Sequence, residues 1–199
     1  MDPAAGKPWN TPAYPLPTFT FNSTQFWQLH DYARDAGWQW VIGINALVRT
    51  AAGSWNSTNF ESLLRFVQDN KAAVAGWELS NELDIDNKSV TPQQLALDFV
   101  HLRHILSTAG FEGLLIGPDI GVKAPYLRDF CWTLQAQPSS PVIDRATFHH
   151  YYGNSAKFNL SDFVNATVCR GDDLEDSART GRGVVYRRST WSDGKYWVL

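Results

Sequence analysis

The run Trp77-Glu78-Leu79-Ser80-Asn81-Glu82 places two carboxylates, a hydroxyl and an amide within one short segment. In an extended backbone alternate residues share a face, so Glu78, Ser80 and Glu82 are expected side by side. A carboxyl group at the C-terminal end of a parallel strand can pass a proton to or from a bound ligand, and Asn81 beside it can hydrogen-bond a hydroxyl. Glu78, deeper in the same strand, reads as a buried structural partner. The bland reading of Glu82 is a solvated carboxylate in a strand-to-loop turn, because Leu83-Asp84-Ile85-Asp86 follows at once. Farther along, His149-His150-Tyr151-Tyr152 closes another apolar run. His149 and Tyr151 alternate and can point to one side, although a His-His pair is also explained by packing plus a surface imidazole. His101 and His104 lie one helical turn apart, a spacing able to grip a metal. With no Cys or further His near them in sequence they read as a polar helix face, and no metal or cofactor is expected.

Such groups need elements to hold them, and the chain supplies an alternation of helix-like and strand-like stretches. Phe26, Leu29, His30 and Ala33 recur at helical spacing between Thr24 and a stop at Gly37, and 38–44 then reads as a buried strand. Thr58 with Glu61 forms a capping-box pattern for a helix with Phe60, Leu63, Leu64 and Val67 inside, followed by a strand at 75–79. Thr91, Pro92 and Gln94 open the next helix, whose apolar face is Leu95, Phe99, Leu102, Ile105 and Leu106 and which Gly110 ends. A strand at 114–117, a helix opened by Pro125 and a strand at 142–148 complete the series. The pattern is that of an α/β fold: a partial (β/α)8 TIM barrel of about four βα units. Five prolines, Pro3, Pro8, Pro12, Pro15 and Pro17, make residues 1–21 an irregular extended lead-in. The barrel segment is expected over 22–167 and a divergent tail over 168–199, where 169–182 loses all periodicity.

Composition bounds the partners. The chain has 199 residues, 44% hydrophobic and 14% aromatic, enough for one sizeable core. A net charge of -3 provides no global field for polyanions, so nucleic acid is not expected as a partner. No apolar run approaches the roughly 20 residues needed to cross a bilayer. Sequons at Asn22, Asn56, Asn87, Asn159 and Asn165 suit passage through the secretory pathway, to an extracellular or lysosomal destination. Because Met1-Asp2-Pro3 begins no signal peptide, an export segment is expected to be missing. Cys131 and Cys169 are too few and too far apart for a disulfide framework, and Cys131 reads as a buried free thiol. A serine hydrolase elbow and a dinucleotide-binding glycine fingerprint are both lacking.

From Asn22 to about Thr167 the sequence resembles the heparanase-type members of glycoside hydrolase family 79. The likeness is carried by 44–50 (Ile-Asn-Ala-Leu-Val-Arg-Thr), Trp55-Asn56-Ser57, Trp77 to Glu82, Gly117-Pro118-Asp119-Ile120-Gly121 and His149 to Tyr152, in the family's order. The resemblance implies a (β/α)8 barrel with an appended β domain that cleaves β-glucuronide linkages with retention, as an endo-β-glucuronidase acting on glucuronide-containing glycans such as heparan sulfate. It implies that Glu82 is the general acid/base after the fourth barrel strand. Asn81, His149 and Tyr151 would then be the glycan-binding neighbours.

Retention needs two carboxyl groups roughly 5–5.5 Å apart. The resemblance puts the second, the nucleophile, on the seventh strand within Gly-Glu-Thr-Ser-Ser. Here the corresponding stretch, 182–191, contains no carboxylate and carries Arg187 and Arg188. The family's basic glycan clamp is also thinner: Phe19-Thr20-Phe21 precedes Asn22, and Lys123 and Lys157 stand near positions where the family has arginine. Two readings follow. One is a fragment of a retaining hydrolase whose tail results from a frameshift, splice error or wrong gene model, with the remainder of the barrel as a partner. The other is a catalytically inactive glycan-binding or regulatory homologue.

Overall fold

The computed structural model describes residues 20–86, 90–121, 124–139, 141–149 and 196–198. Strands β1 (Gln39–Ile44), β2 (Gly76–Leu79), β3 (Leu114–Ile120), β4 (Arg145–Phe148) and β5 (Tyr196–Val198) form one sheet in the order β4-β3-β2-β1-β5. Every pairing is parallel. Parallel neighbours require a crossover, and helices α2 (Thr58–Asp69), α4 (Pro92–Thr108) and α5 (Ala124–Gln135) provide the three between β1 and β4, with α1 (Ser23–Asp35) leading into β1. The fold is α/β, an arc of a TIM-type barrel.

Alternation within the strands gives the sheet two unlike faces. Trp40 packs on Phe26 of α1 at 5.0 Å between ring centroids, and Trp77 meets Phe60 of α2 edge-on at the same distance. Ile42, Leu79 and Leu115 lie on this helix-facing side and join Leu95, Phe99, Leu102 and Leu106 of α4 in a single apolar cluster. Gly117 makes the tightest fit: a Cβ there would come within 2.2 Å of the Phe99 ring, and its φ of 153° suits glycine. Phe99 in turn stands edge-on to Phe130 of α5 at 5.2 Å. The opposite face carries Gly43 and Glu78 in register, with Thr147 reaching Glu78 from β4.

The helix starts differ in part from the sequence expectation. Asn22 caps α1 with a full capping box: its Oδ1 accepts from the Gln25 N–H, and its own N–H donates to Gln25 Oε1. Thr58 does not cap α2. Residue 58 is already helical, Ser57 is the N-cap and donates its hydroxyl to Glu61 Oε1 at 2.6 Å, while Asn56 Oδ1 accepts from the Thr58 N–H. Thr91 caps α4 as expected, but Gln94 does not return the bond; its amide donates to the buried Asp98 instead. Asp98 also accepts from Arg49 at 2.5 Å and from the Trp55 N–H, tying the long β1–α2 loop to α4.

Strand limits shift for identifiable reasons. β3 runs on past Pro118 to Ile120, because the Gly117-Pro118 peptide sits at a register shift where the ladder does not need an N–H. β4 begins at Arg145, since Asp144 turns its side chain back to the Leu115 N–H and to Arg103. A short helix α3 (Leu83–Asp86) occupies what the sequence reads as a turn. Cys131 is half-buried, not fully enclosed, and burial raises its thiol pKa. His101 and His104 are exposed on α4, with His101 edge-on to Trp55. Within the tail, β5 pairs with β1 at the sheet edge. Among the described residues no helix is long and apolar enough to cross a membrane. The expectations for Tyr151, Asn87, Asn159, Asn165, Lys123, Lys157, Cys169, Arg187 and Arg188 fall outside the described residues.

Candidate active site

The C-terminal ends of β2, β3 and β4 bring together Glu82, Asp119 and His149. The expected alternation of Glu78, Ser80 and Glu82 does not hold through to Glu82. β2 ends at Leu79, and Ser80 (φ 88°) and Glu82 (φ 50°) both adopt left-handed backbone, so the chain turns instead of extending. That turn is fixed from outside. The Ser80 N–H donates to the Ile44 carbonyl, the Ser80 hydroxyl to the Pro118 carbonyl, and the Glu82 N–H to the Asp119 carbonyl at 2.8 Å. His149 is fixed in the same way, its N–H donating to the Ile120 carbonyl at 2.7 Å. Three strand ends are therefore stitched together by main chain before any side chain is considered.

On this frame the imidazole of His149 lies between two carboxylates. Nδ1 is 2.5 Å from Glu82 Oε1, and Nε2 is 2.8 Å from Asp119 Oδ1. The side chains of Glu82 and His149 are 22% and 32% exposed and that of Asp119 10%, so the two outer groups can be reached from solvent while Asp119 forms the floor. Asn81, the neighbour expected to bind glycan, is exposed beside Glu82. Glu78 lies below. It is fully buried, accepts from the Thr147 hydroxyl at 2.6 Å, and its Oε2 has no partner among the described residues. The same Thr147 hydroxyl accepts from the Asp119 N–H, so Glu78 is linked to the cluster above it. This agrees with its expected structural role.

Electrostatics follow from the crowding. Burial, reinforced by the charge of Asp119, pushes Glu78 up to about 7 against the Thr147 hydrogen bond and the nearby imidazole. Asp119 is raised by burial, which outweighs the charge and hydrogen bond of His149, and Glu82 adds to the rise. For His149, burial favours the neutral ring, but the hydrogen bonds and charges of Glu82 and Asp119 win and the imidazole pKa is raised. The arrangement can hold a proton close to an accessible carboxyl group. Sequence reasoning assigned no role to Asp119 or Thr147; the available signal was an acidic residue right after Gly-Pro at the end of a strand.

A parallel barrel arc with ionisable side chains gathered at its C-terminal rim is the arrangement in which TIM-barrel enzymes build their active sites. The family model described as glycosyl hydrolase family 79, N-terminal domain, matches residues 17–175. The heparanase of Mus musculus is 33% identical over 158 residues, covering 75% of this chain and 28% of that protein. The heparanase of Gallus gallus is 32% identical over 146 residues, 70% of this chain and 28% of its own. The inactive heparanase-2 of Mus musculus is 28% identical over 174 residues, 84% of this chain and 28% of its own. The chain belongs to glycoside hydrolase family 79, and it spans 28% of the length of these curated relatives.

Proposed function

We propose that this chain is the acid/base-bearing part of a retaining endo-β-glucuronidase that hydrolyses O-glycosyl bonds in glucuronide-containing glycans of the heparan sulfate type. Glu82 is its general acid/base, and Asn81, His149 and Tyr151 bind the sugar around the cleaved bond. The observation that carries the reading is the partly exposed Glu82 carboxyl at the end of β2, held 2.5 Å from the His149 imidazole. Likeness to heparanases supports the substrate class. Turnover also needs a second carboxyl group, contributed by the remaining strands of a barrel. The exposed Asn22 and the partly exposed Asn56 support N-glycosylation and a secretory route, to the extracellular space or the lysosome.

The second reading, an inactive glycan-binding or regulatory homologue, draws on the absence of a carboxylate across 182–191 and on the likeness to inactive heparanase-2. One experiment separates the two. The whole protein, with the strands that complete the barrel, is titrated with a glucuronide-containing oligosaccharide, and binding and product are followed together. Cleavage that falls by about 10²–10⁴ in Glu82→Gln supports the hydrolase. Cleavage unaffected by that substitution refutes the role of Glu82, and binding with no product selects the inactive homologue.

A further inference from the structure

Asp119 is the one member of the cluster that the proposed reaction leaves idle. We propose that Asp119 is a positioning residue: by accepting Nε2–H of His149 it turns Nδ1 onto Glu82, so that imidazole and carboxyl hold one transferable proton between them. The inference rests on Glu82 being the acid/base.

Proton counting supports this assignment. An imidazole bonded to a carboxyl group through each nitrogen has two arrangements in which Asp119 stays ionised. In one, an imidazolium donates to both carboxylates. In the other, a neutral ring keeps Nε2–H on Asp119 while its Nδ1 lone pair accepts from a protonated Glu82. Both contain two protons and the same net charge. They differ by moving one proton along the 2.5 Å Nδ1–Oε1 line, with the N–H electron pair staying on Nδ1. Nothing else is made or broken, and no proton is drawn from water. A retaining glycosidase asks the same carboxyl group to give a proton in one step and to take one in the next. Glu82 is loaded from the imidazolium before it protonates the leaving oxygen, and it passes back to Nδ1 the proton it later takes from the attacking water, so the pair ends a cycle with the two protons it began with.

Asp119 suits that task because it cannot readily move away. Its N–H is held by Thr147 Oγ1 at 3.0 Å, and its carbonyl holds the Glu82 N–H, so the residue that orients the ring also anchors the backbone of the carboxyl that the ring serves. Its side chain is only 10% exposed. Among the described residues, the ionisable groups facing His149 include Glu78 and Glu82 from β2 and the turn after it and Asp119 from β3, with Thr147 of β4 relaying Glu78. A ring flanked by two carboxyl groups titrates as part of a set, and the midpoint belongs to the set.

The test is long-range ¹H–¹⁵N spectroscopy of the labelled chain across pH, with the His149 signals identified by their loss in His149→Gln. In the unmodified chain Nε2 should keep its hydrogen on both sides of the titration, and a bare Nε2 with the hydrogen on Nδ1 would overturn the proposal. Asp119→Asn, which tolerates the left-handed φ of 52°, should lower the His149 midpoint by about 1–3 pH units and release the tautomer preference. An unchanged midpoint in a folded Asp119→Asn chain also overturns it. If that variant does not fold, the tautomer in the unmodified chain decides alone. The two ideas can fail separately. A bare Nε2 defeats Asp119 even where Glu82→Gln abolishes cleavage. The expected spectrum with cleavage indifferent to Glu82→Gln defeats the acid/base reading and the role built on it.

Discussion

On the helix side of the sheet Trp40, Ile42, Trp77, Leu79 and Leu115 meet the apolar faces of α1, α2 and α4. On the other side Glu78, fully buried, faces a threonine hydroxyl and leads up to a histidine held by two carboxyl groups. The strands are the same, and the period of two sends alternate residues to opposite duties. The first face gains free energy by removing hydrocarbon from water. The second gives some of it up, since it buries a carboxyl group with one oxygen unpartnered among the described residues. Stability and chemistry are thus separated across the thickness of one sheet, and each can be perturbed on its own.

The largest effect is expected on the dry side. Phe99 is fully buried against Phe130 and fills the space left by Gly117, so Phe99→Ala should cost about 3–5 kcal/mol in chemical denaturation. A loss under about 1 kcal/mol would mean that this face does not carry the fold.

The polar face should show itself through pH. Glu78 binds its proton more tightly folded than unfolded, so the fold is favoured most below its ordinary 4.5 and loses that advantage as pH rises to about 7. His149 and Asp119, both raised, act in the same direction. Unfolding at a series of pH values should therefore show stability falling toward neutrality, and Glu78→Gln should flatten that slope. Above the Glu78 midpoint the variant should exceed the unmodified chain by up to about 3 kcal/mol, because each tenfold change in proton affinity is worth about 1.4 kcal/mol. A slope left unchanged by the substitution would put its origin elsewhere. The smallest effect belongs to neither face: Thr91→Ala removes the α4 cap and should cost about 1 kcal/mol at every pH.

The dry side was the more legible in sequence. Its signals are local: helical spacing of apolar residues, Thr91 before Pro92, Gly37 and Gly110 as stops. The polar side was legible only in part. Glu82 and His149 could be named from their runs, but the alternation that placed Glu82 beside Glu78 assumed extended backbone, and the left-handed turn at Ser80 and Glu82 breaks it. That turn is set by the carbonyls of Ile44, Pro118 and Asp119, which no local window contains. For the same reason the link from Thr147 to Glu78, across 69 positions of chain, could not be read, and Asp119 passed for one letter of a motif. The cap of α2 was misplaced by one residue because Asn56, Ser57 and Thr58 are all competent cappers and the pattern Thr58–Glu61 favours the wrong one.

The order of the strands also has a kinetic meaning. β1 pairs with β2, β2 with β3 and β3 with β4, so each pairing closes a loop no longer than one βα step. The pairing of β1 with β5 instead joins Gln39 to Tyr196 across most of the chain. Closing that loop costs more entropy and rewards it with a strand of three residues. The central strands can therefore assemble one after another as the polypeptide leaves the ribosome, and β5 docks last. In native-state hydrogen exchange the amides joining β5 to β1 should open first, while those joining β2 to β3 persist until the whole molecule unfolds.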